Sequence, residues 1–289
     1  MTLINGVFNI LATPFTEQGL VDEDSLQSLV EFQLKAGAVG LTILGIMGEV
    51  SKLTDAERDL ITRVVIEQVN GRIPVIVNVT HTGTRVVINT AHRAAELGAS
   101  GIMVAPPTNL RNLDAVGDFY RTISEAVSIP IVVQDEPVTT GVIMPASLLA
   151  GLGLNLIKLE EAPVPIKISR ILEKNPDARI YGGLGGVFFL QELERGAVGT
   201  MTGFAYTEIL VSIYKDFSEG RREKAAATFY KYLPLISYEG QIGVGLAVRK
   251  EILRRRGAIR CSDIRSPGLK LDRLAHDEIS RVLDYVQLT

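Results

Sequence analysis

Short apolar segments alternate with amphipathic stretches along the first two-thirds of the chain. The amphipathic stretches, for example residues 24–36, 55–70 and 85–97, have the periodicity of helices. The apolar segments are uninterrupted, and such strands between helices are typical of a parallel sheet whose outer face is covered by helices. We predict eight strands, near residues 6–11, 39–45, 74–80, 101–105, 130–134, 155–159, 179–182 and 197–202.

The joints between the predicted helices and strands repeat. The sequence Gly-Ala-x-Gly occurs at residues 37–40, 98–101 and 196–199, each time after a helical stretch. A glycine just past a helix end adopts the left-handed conformation without Cβ strain. Eight such units predict a closed (β/α)8 TIM barrel. A doubly wound open sheet is the alternative, but its Gly-x-Gly-x-x-Gly motif is missing after the first strand, and the glycine-rich residues 182–186 are interpreted as a turn at the barrel mouth.

The residues after the eighth predicted strand are helical in pattern. They include helical stretches at residues 225–235, 245–256 and 277–287. No linker rich in proline, glycine or serine separates them from the barrel. We therefore predict a barrel over residues 1–206 and a C-terminal helical extension, residues 207–289, that packs on the barrel.

The charge balance argues against an electrostatic partner. The formal net charge is only -3, and the 30 lysine and arginine residues are spread along the chain. This distribution predicts neither a nucleic-acid partner nor an anionic membrane partner. The one basic cluster, Arg254-Arg255-Arg256, is interpreted as the solvated last turn of a helix.

Cysteine and histidine usage further narrows the possible classes of protein. The single cysteine, Cys261, excludes an internal disulfide framework and suits a reducing compartment. The N-terminus lacks the pattern of a secretory signal, and no apolar run approaches the ~20 residues of a membrane span. We therefore predict a cytoplasmic protein. His81, His92 and His276 are scattered without metal-ligand spacing, so no metal site is predicted.

Lys158 stands in a mostly apolar run, residues 155–161, that has the length of a buried strand. Side chains alternate faces on a strand, so Lys158 and Glu160 point to the same side. A lysine in such surroundings loses hydration, which favours the neutral amine that attacks carbonyl groups. Alternatively, the ammonium group extends past the strand end into solvent. Glu160 is correspondingly either a proton shuttle or a simple counter-charge for a buried amine.

A second candidate region follows the second predicted strand. In a TIM barrel the active site lies at the carboxyl ends of the strands. Here the strand ends in Gly45-Ile-Met-Gly-Glu49, and a capping box of Thr54 and Glu57 then begins a helix. Backbone N–H groups in this loop are placed to face an anion such as a carboxylate.

Together these segments resemble the dihydrodipicolinate synthase/N-acetylneuraminate lyase superfamily of Schiff-base-forming barrels, and the resemblance covers nearly the whole chain. Thr13-Pro-Phe15 matches its first-strand motif. Gly45-Ile-Met-Gly-Glu49 occupies the place of its Gly-Thr-Thr-Gly-Glu carboxylate loop, and Ile157-Lys158 matches its nucleophilic lysine on strand six. The resemblance implies that Lys158 forms a Schiff base with a small 2-keto acid. It also implies a homotetramer and no cofactor beyond the covalent lysine.

The departures from the family pattern concern proton transfer. Gln134 stands in place of the tyrosine that moves protons, and Thr139 in place of the arginine that dihydrodipicolinate synthase uses for the carboxylate of its aldehyde substrate. Pro107-Thr108 replaces a further tyrosine pair. Neither glutamine nor threonine is an acid–base group near neutral pH. The departures therefore disfavour both that condensation and aldol cleavage through a tyrosine.

The variant motifs resemble those of the 2-keto-3-deoxy-L-arabonate dehydratase branch, through Gln134-Asp-Glu-Pro-Val138 on strand five and Lys158-Leu-Glu160 on strand six. This likeness implies a lyase that dehydrates a 2-keto-3-deoxy sugar acid. The predicted catalytic residues are the nucleophile Lys158, the acid–base group Glu160 and Gln134, which orients substrate hydroxyls. The predicted substrate-binding residues, including the amides that hold the substrate carboxylate, are Gly48, Glu49, Met47, Thr13, Thr202 and Thr139.

Two other functions remain open at this point. One is an aldolase or synthase of the same superfamily, in which a water or His81 takes the role of the missing tyrosine. The other is a non-catalytic sensor barrel that retains the pocket without a proton relay.

Overall fold

A computed structural model describes residues 4–288 of the chain and contains a closed barrel of eight parallel strands. The strands pair in sequence order, and β8 closes on β1 with Gly199 opposite Gly6. The prediction of a (β/α)8 barrel is confirmed. The strands are β1 Gly6–Ile10, β2 Gly40–Ile43, β3 Val75–Asn78, β4 Gly101–Val104, β5 Ile131–Asp135, β6 Leu156–Leu159, β7 Arg179–Gly182 and β8 Gly199–Thr202.

Helices follow the strands and form the outer layer of the barrel. Short 3₁₀ turns occur at Ile46–Gly48, Val50–Lys52 and Leu184–Gly186. The helices are α1 Glu23–Lys35, α2 Asp55–Val69, α3 Thr84–Glu96, α4 Leu113–Ala126, α5 Pro137–Thr140, α6 Ala146–Gly151, α7 Val164–Leu172, α8 Phe189–Glu194, α9 Thr207–Ser218, α10 Arg222–Glu239, α11 Gly245–Arg255 and α12 Arg273–Tyr285.

Two apolar clusters fill the molecule. The larger lies between the strands and the helices, and the smaller fills the barrel interior. Within the interior, the rings of Phe8 and Tyr181 meet edge to face with centroids 5.5 Å apart. A Cβ at Gly40 would overlap the Phe8 ring, so the glycine that opens β2 makes room for this packing. The interior is therefore closed below the mouth and leaves only its upper end open to ligands.

The C-terminal helices pack on the barrel, although the predicted division at residue 206 stays a prediction. Helix α9 follows β8, in the part of the chain predicted to be helical, and α10 continues through Pro234 to Glu239, beyond the predicted stretch. The interpretation of the basic cluster was wrong for Arg256. Its guanidinium bonds Glu208 at 2.5 Å and lies 4.0 Å from the ring centroid of Tyr206, which ties the end of α11 to the start of α9.

Among residues 4–288, no helix is long and apolar enough to cross a membrane. Within the same residues, no group of three or more histidine, cysteine, aspartate or glutamate side chains is arranged to hold a metal ion.

Candidate active site

A pocket of about 390 Å³ opens at the carboxyl ends of the barrel strands, and we call it the mouth pocket. Its wall includes residues from seven of the eight strands or the segments that follow them, together with residues of α10, α11 and the loop between them. Six of the predicted site residues line it: Met47, Gln134, Thr139, Lys158, Glu160 and Thr202.

Lys158 points into this pocket from the barrel interior and does not reach bulk solvent. Only 3% of the residue is exposed, whereas Ile157 and Leu159, on the opposite face of β6, pack toward the helices. Lys158 Nζ donates a hydrogen bond of 2.6 Å to Glu160 Oε2. The alternative in which the ammonium group extends into solvent is therefore wrong. The pair lies where a small ligand in the pocket would reach it.

The Glu160 carboxylate is held by three donors. Gln134 Nε2 donates to the same Oε2 atom at 3.0 Å, and the Leu184 amide donates to Oε1 at 3.3 Å. Asn78 Nδ2 in turn donates to Gln134 Oε1 at 3.3 Å. A Cβ at Gly183 would overlap the Glu160 side chain, so this position must be glycine for the carboxylate to occupy its place. Gln134 thus fixes the orientation of Glu160.

The loop after β2 departs from the prediction for the substrate carboxylate. The Gly48 amide already donates to Gly45 O at 2.9 Å, and the Glu49 amide to Ile46 O at 3.0 Å. Both N–H groups are therefore used in the 3₁₀ turn, and neither residue lines the pocket. In residues 4–288, by contrast, the amides of Ile46 and Met47 make no hydrogen bond. The amides that can face a substrate carboxylate are therefore those of Ile46 and Met47, two positions before the predicted Gly48 and Glu49.

Thr13 and Glu49, which were also predicted to bind substrate, contact the loop from outside the pocket. Thr13 Oγ1 donates to Gly48 O at 2.7 Å and does not line the pocket. Glu49 is 3% exposed, and its carboxylate accepts from Lys52 Nζ at 2.9 Å and Lys250 Nζ at 3.1 Å. Thr13 and Glu49 were predicted to bind the substrate directly. Their polar atoms are instead engaged inside the protein, so these residues stabilise the loop.

The other predicted residues lie at different depths. Thr202 is buried at the end of β8, whereas Thr139 is exposed at the rim and its amide donates to Glu136 Oε2 at 2.9 Å. His81 is exposed and lies outside the pocket wall, where its Nδ1 accepts from the Gly83 amide at 3.0 Å. Its position does not suit the role of a substitute for the missing tyrosine.

The sequence reasoning missed the contribution of the C-terminal helices to the pocket. Glu239 ends α10 and Arg249 lies in α11, and both line the pocket. Arg249 Nε bonds Glu239 Oε1 at 2.5 Å, and the Ala205 amide donates to both carboxylate oxygens. Burial raises the pKa of Glu239, while the nearby Arg249 charge opposes the rise. No local pattern marks these positions, because it is the packing of α10 and α11 that brings them to the barrel mouth.

A buried carboxyl group below the pocket was also missed. Glu192 lies on α8 and is fully buried, and a Cβ at Gly182 would overlap its carboxyl group. Glu160 lies beside the next residue, Gly183, so the two carboxyl groups flank one glycine pair. Burial raises the pKa of Glu192 well above its usual range, and the charge of Glu160 adds to the rise. Burial therefore favours the neutral form of the Glu192 carboxyl group.

Comparisons with known proteins agree with this geometry. A model of the dihydrodipicolinate synthetase family matches residues 3–286. The chain is 33% identical over 273 residues to the L-2-keto-3-deoxyarabonate dehydratase of Azospirillum brasilense, a match that covers 91% of this chain and 88% of that protein. It is 32% identical over 244 residues to the 4-hydroxy-tetrahydrodipicolinate synthase of Phocaeicola vulgatus, which covers 82% of each.

A solved structure shares the fold closely. The crystal structure of dihydrodipicolinate synthase from Rhodopseudomonas palustris superposes with a TM-score of 0.93 at 34% identity. The superposition covers 98% of this chain and 100% of that chain. The similarity thus extends over the barrel and the C-terminal helices alike.

Proposed function

This chain belongs to the dihydrodipicolinate synthetase family, as its motifs predicted, and on that premise we propose that it dehydrates a 2-keto-3-deoxy sugar acid through a lysine Schiff base. The observation that carries the proposal is the buried pair at the mouth pocket, in which Lys158 Nζ lies 2.6 Å from Glu160 Oε2. Gln134 bonds this carboxylate at the place where the family's tyrosine stands. The likeness to a 2-keto-3-deoxyarabonate dehydratase supports the substrate class.

The reaction begins with proton transfer inside the pair. Glu160 accepts a proton from Lys158, and the neutral amine attacks the C2 carbonyl carbon of the substrate. The carbinolamine then loses its hydroxyl group as water, with Glu160 donating the proton, and an iminium forms at C2. The iminium acidifies the C3 protons because it accepts the electron pair that is released when one of them leaves.

Elimination follows from the same carboxylate. Glu160 removes one C3 proton to give an enamine and then protonates the C4 hydroxyl, which leaves as water while the enamine electrons form the C3–C4 double bond. Hydrolysis of the unsaturated iminium releases the product and restores Lys158. One acid–base group thus serves every step, and in this proposal no cofactor beyond the lysine is needed.

The carboxylate of the substrate would lie on the side of the pocket formed by β1, β2 and β8. The free amides of Ile46 and Met47 are there, and the Arg249 guanidinium is close to Gly203, which follows β8. Thr202 at the end of β8 is placed to contact a substrate hydroxyl. Backbone N–H groups and a cation on one wall favour the anionic end of the substrate.

Relatives that are 4-hydroxy-tetrahydrodipicolinate synthases make an aldolase or synthase the second candidate. Retro-aldol cleavage needs a base at the C4 hydroxyl rather than at C3. Gln134 cannot serve as that base, and Thr139 carries no charge for a second substrate carboxylate. A sensor barrel without turnover is the third candidate. The homotetramer implied by the family resemblance also stays a proposal, which light scattering on the purified protein tests.

Borohydride trapping followed by intact mass measurement tests the proposal. We expect a covalent adduct on Lys158 with pyruvate and with a 2-keto-3-deoxypentonate, together with a dehydrated product from the pentonate. No adduct with either compound contradicts the Schiff-base mechanism. Pyruvate release from the pentonate indicates an aldolase, and an adduct without any product indicates a sensor.

Glu160→Gln tests the acid–base assignment. We expect the variant to form the trapped adduct slowly but to lose turnover by roughly 10²- to 10⁴-fold, because the amide keeps the shape of the carboxylate and cannot move protons. Steady-state dehydration and single-turnover trapping measure the two effects separately. Turnover close to the wild-type value would refute the role of Glu160.

A further inference from the structure

We propose that Glu136 selects substrates whose far end carries hydroxyl groups and no negative charge. The inference rests on the proposed function and deepens it, because it names the class of substrate tail that the mouth pocket accepts. Glu136 follows β5 and caps the N-terminus of α5, and it lines the pocket on the β5 side.

The three carboxylates in the pocket wall differ in what they offer to a ligand. Glu160 and Glu239 have both oxygens engaged, the first by Lys158, Gln134 and Leu184 and the second by Arg249 and the Ala205 amide. Glu136 Oε2 accepts from the Thr139 amide at 2.9 Å, but no donor in residues 4–288 reaches Oε1. Several fully buried side-chain atoms in residues 4–288 also lack a hydrogen-bond partner. Glu136 Oε1 is not among them, so it is not enclosed by the protein. Among the carboxylate oxygens of the described pocket wall, Glu136 Oε1 is the one that accepts no hydrogen bond.

The residue is nevertheless well fixed. Glu136 is 8% exposed, and its second oxygen is held in place by the N-cap hydrogen bond to Thr139. Its backbone carbonyl accepts from Thr140 Oγ1 at 2.7 Å. A carboxylate oriented in this way binds a hydroxyl donor without losing much side-chain freedom, which favours a specific contact.

The wall around Glu136 contains no compensating cation. The pocket-lining residues of the β5–α5 segment are Gln134, Glu136, Val138 and Thr139, none of them basic. The two basic residues in the described wall are Lys158 and Arg249, which pair with Glu160 and Glu239. Arg249 lies beside Gly203, after β8, and β8 and β1 are across the closed barrel from β5.

The pocket is therefore polarised. Donors at the β8–β1–β2 side suit the C1 carboxylate, whereas the free acceptor of Glu136 on the opposite side suits hydroxyl groups at the far end of the chain. A second carboxylate at that end would meet a like charge with no cation beside it, which costs affinity. A hydroxyl would instead form a charge-assisted hydrogen bond with Glu136.

The test compares two substrates of equal length. One is a 2-keto-3-deoxypentonate, which ends in a hydroxymethyl group, and the other is 4-hydroxy-2-oxoglutarate, which ends in a carboxylate. For the wild type we expect kcat/KM to favour the pentonate by roughly 10- to 100-fold, mainly through KM. Glu136→Gln keeps the shape and the cap acceptor but removes the charge, so the preference should shrink about tenfold. Glu125→Gln, which removes an exposed carboxylate on α4, is the matched control.

An unchanged preference in Glu136→Gln, or an equal change in Glu125→Gln, would overturn the inference. Pyruvate has no tail, so borohydride trapping of pyruvate in the wild type and in Glu125→Gln tests the lysine site separately from the tail contact. If the wild type traps neither pyruvate nor the pentonate, it is the proposed function that fails instead. If Glu136→Gln does not fold, the selection can be tested in the wild type. The pentonate and 4-hydroxy-2-oxoglutarate then compete separately with pyruvate for borohydride trapping, and the pentonate should compete better. Equal competition by both compounds then rules the selection out.

Discussion

Two buried lysines lie on opposite sides of the strand pair β5–β6, and both face a carboxylate. Lys158 is on the barrel side and bonds Glu160 in the mouth pocket. Lys167 is on α7, between the sheet and the helices, and bonds Asp135 Oδ2 at 2.5 Å and the Glu161 carboxylate. The two lysines are similarly buried, at 3% and 8% exposure.

The difference between the two sites is access, not charge. Lys158 and Glu160 line a cavity that can hold a small ligand, whereas neither Lys167 nor Asp135 contributes to that wall. A buried ion pair without a cavity can only stabilise or destabilise the fold. A lysine surrounded by apolar residues is therefore a candidate nucleophile only if a carbonyl group can reach it.

Replacing each lysine in turn gives the largest expected contrast. Lys158→Met should abolish borohydride trapping and reduce turnover by roughly 10⁴-fold or more, because it removes the proposed nucleophile. Lys167→Met should still trap pyruvate but lose about 3–5 kcal/mol of unfolding free energy, since the buried Asp135 carboxyl group then loses its charged partner. Trapping assays and urea unfolding measure the two outcomes. A trapped pyruvate adduct in Lys158→Met would contradict the role proposed for Lys158. A Lys167→Met variant that is as stable as the wild type but forms no adduct would contradict the structural role of Lys167.

The second contrast is the pH dependence of stability that arises at the pair of Lys167 and Asp135. Burial raises the pKa of Asp135 to about 6, although the charge of Lys167 opposes the rise. An unfolded aspartate titrates near about 3.9, so between these values the folded state binds more protons than the unfolded state. The contribution of this carboxyl to stability should therefore fall as pH rises from about 4 to about 6. Asp135→Asn should remove that part of the slope in urea unfolding, while Glu125→Gln on the surface should not.

The smallest expected effect concerns the buried Glu192 carboxyl group below the pocket. Burial raises its pKa and so favours the neutral acid, which an amide of the same shape resembles. Glu192→Gln should therefore change turnover and stability by less than about 1 kcal/mol at neutral pH. Glu192→Ala should cost more, since it leaves a cavity beneath Gly182 and Gly183. Dehydration rates and thermal unfolding across pH 6–9 compare the variants. A large loss in Glu192→Gln at neutral pH would show that Glu192 carries a charge there.

The predicted strands agree with the structure to within a few residues, because uninterrupted apolar segments and glycine joints are local signals. Gly98 and Gly196 have positive φ at the helix ends where the sequence placed them. The last turn of α10, by contrast, lies beyond the predicted helical stretch. Pro234 lies inside α10, where a proline normally argues for a helix end, and tertiary packing overrides that preference.

The sequence predicted the part of the candidate site that depends on the alternation of side chains along one strand. Lys158 and Glu160 are two residues apart and therefore share a side of the chain, which the sequence alone indicates. The roles of Gly48, Glu49 and Thr13 were assigned wrongly, because the hydrogen bonds of a turn depend on its three-dimensional course. The backbone of Glu49 is left-handed, with φ 56, and no local pattern announces this.

The sequence by itself determined the eight βα units, the family and the lysine–glutamate pair, since periodicity and short motifs act over a few residues. Only the tertiary structure decided which polar atoms are free. Glu136 belongs to a motif that the sequence singles out, but only closure of the barrel, with α10 and α11 at its mouth, brings it into one pocket with Glu239 and Arg249. Whether the Glu239 carboxylate is engaged depends on Arg249, on the next helix, and on the Ala205 amide, which follows β8, and such contacts are set by packing.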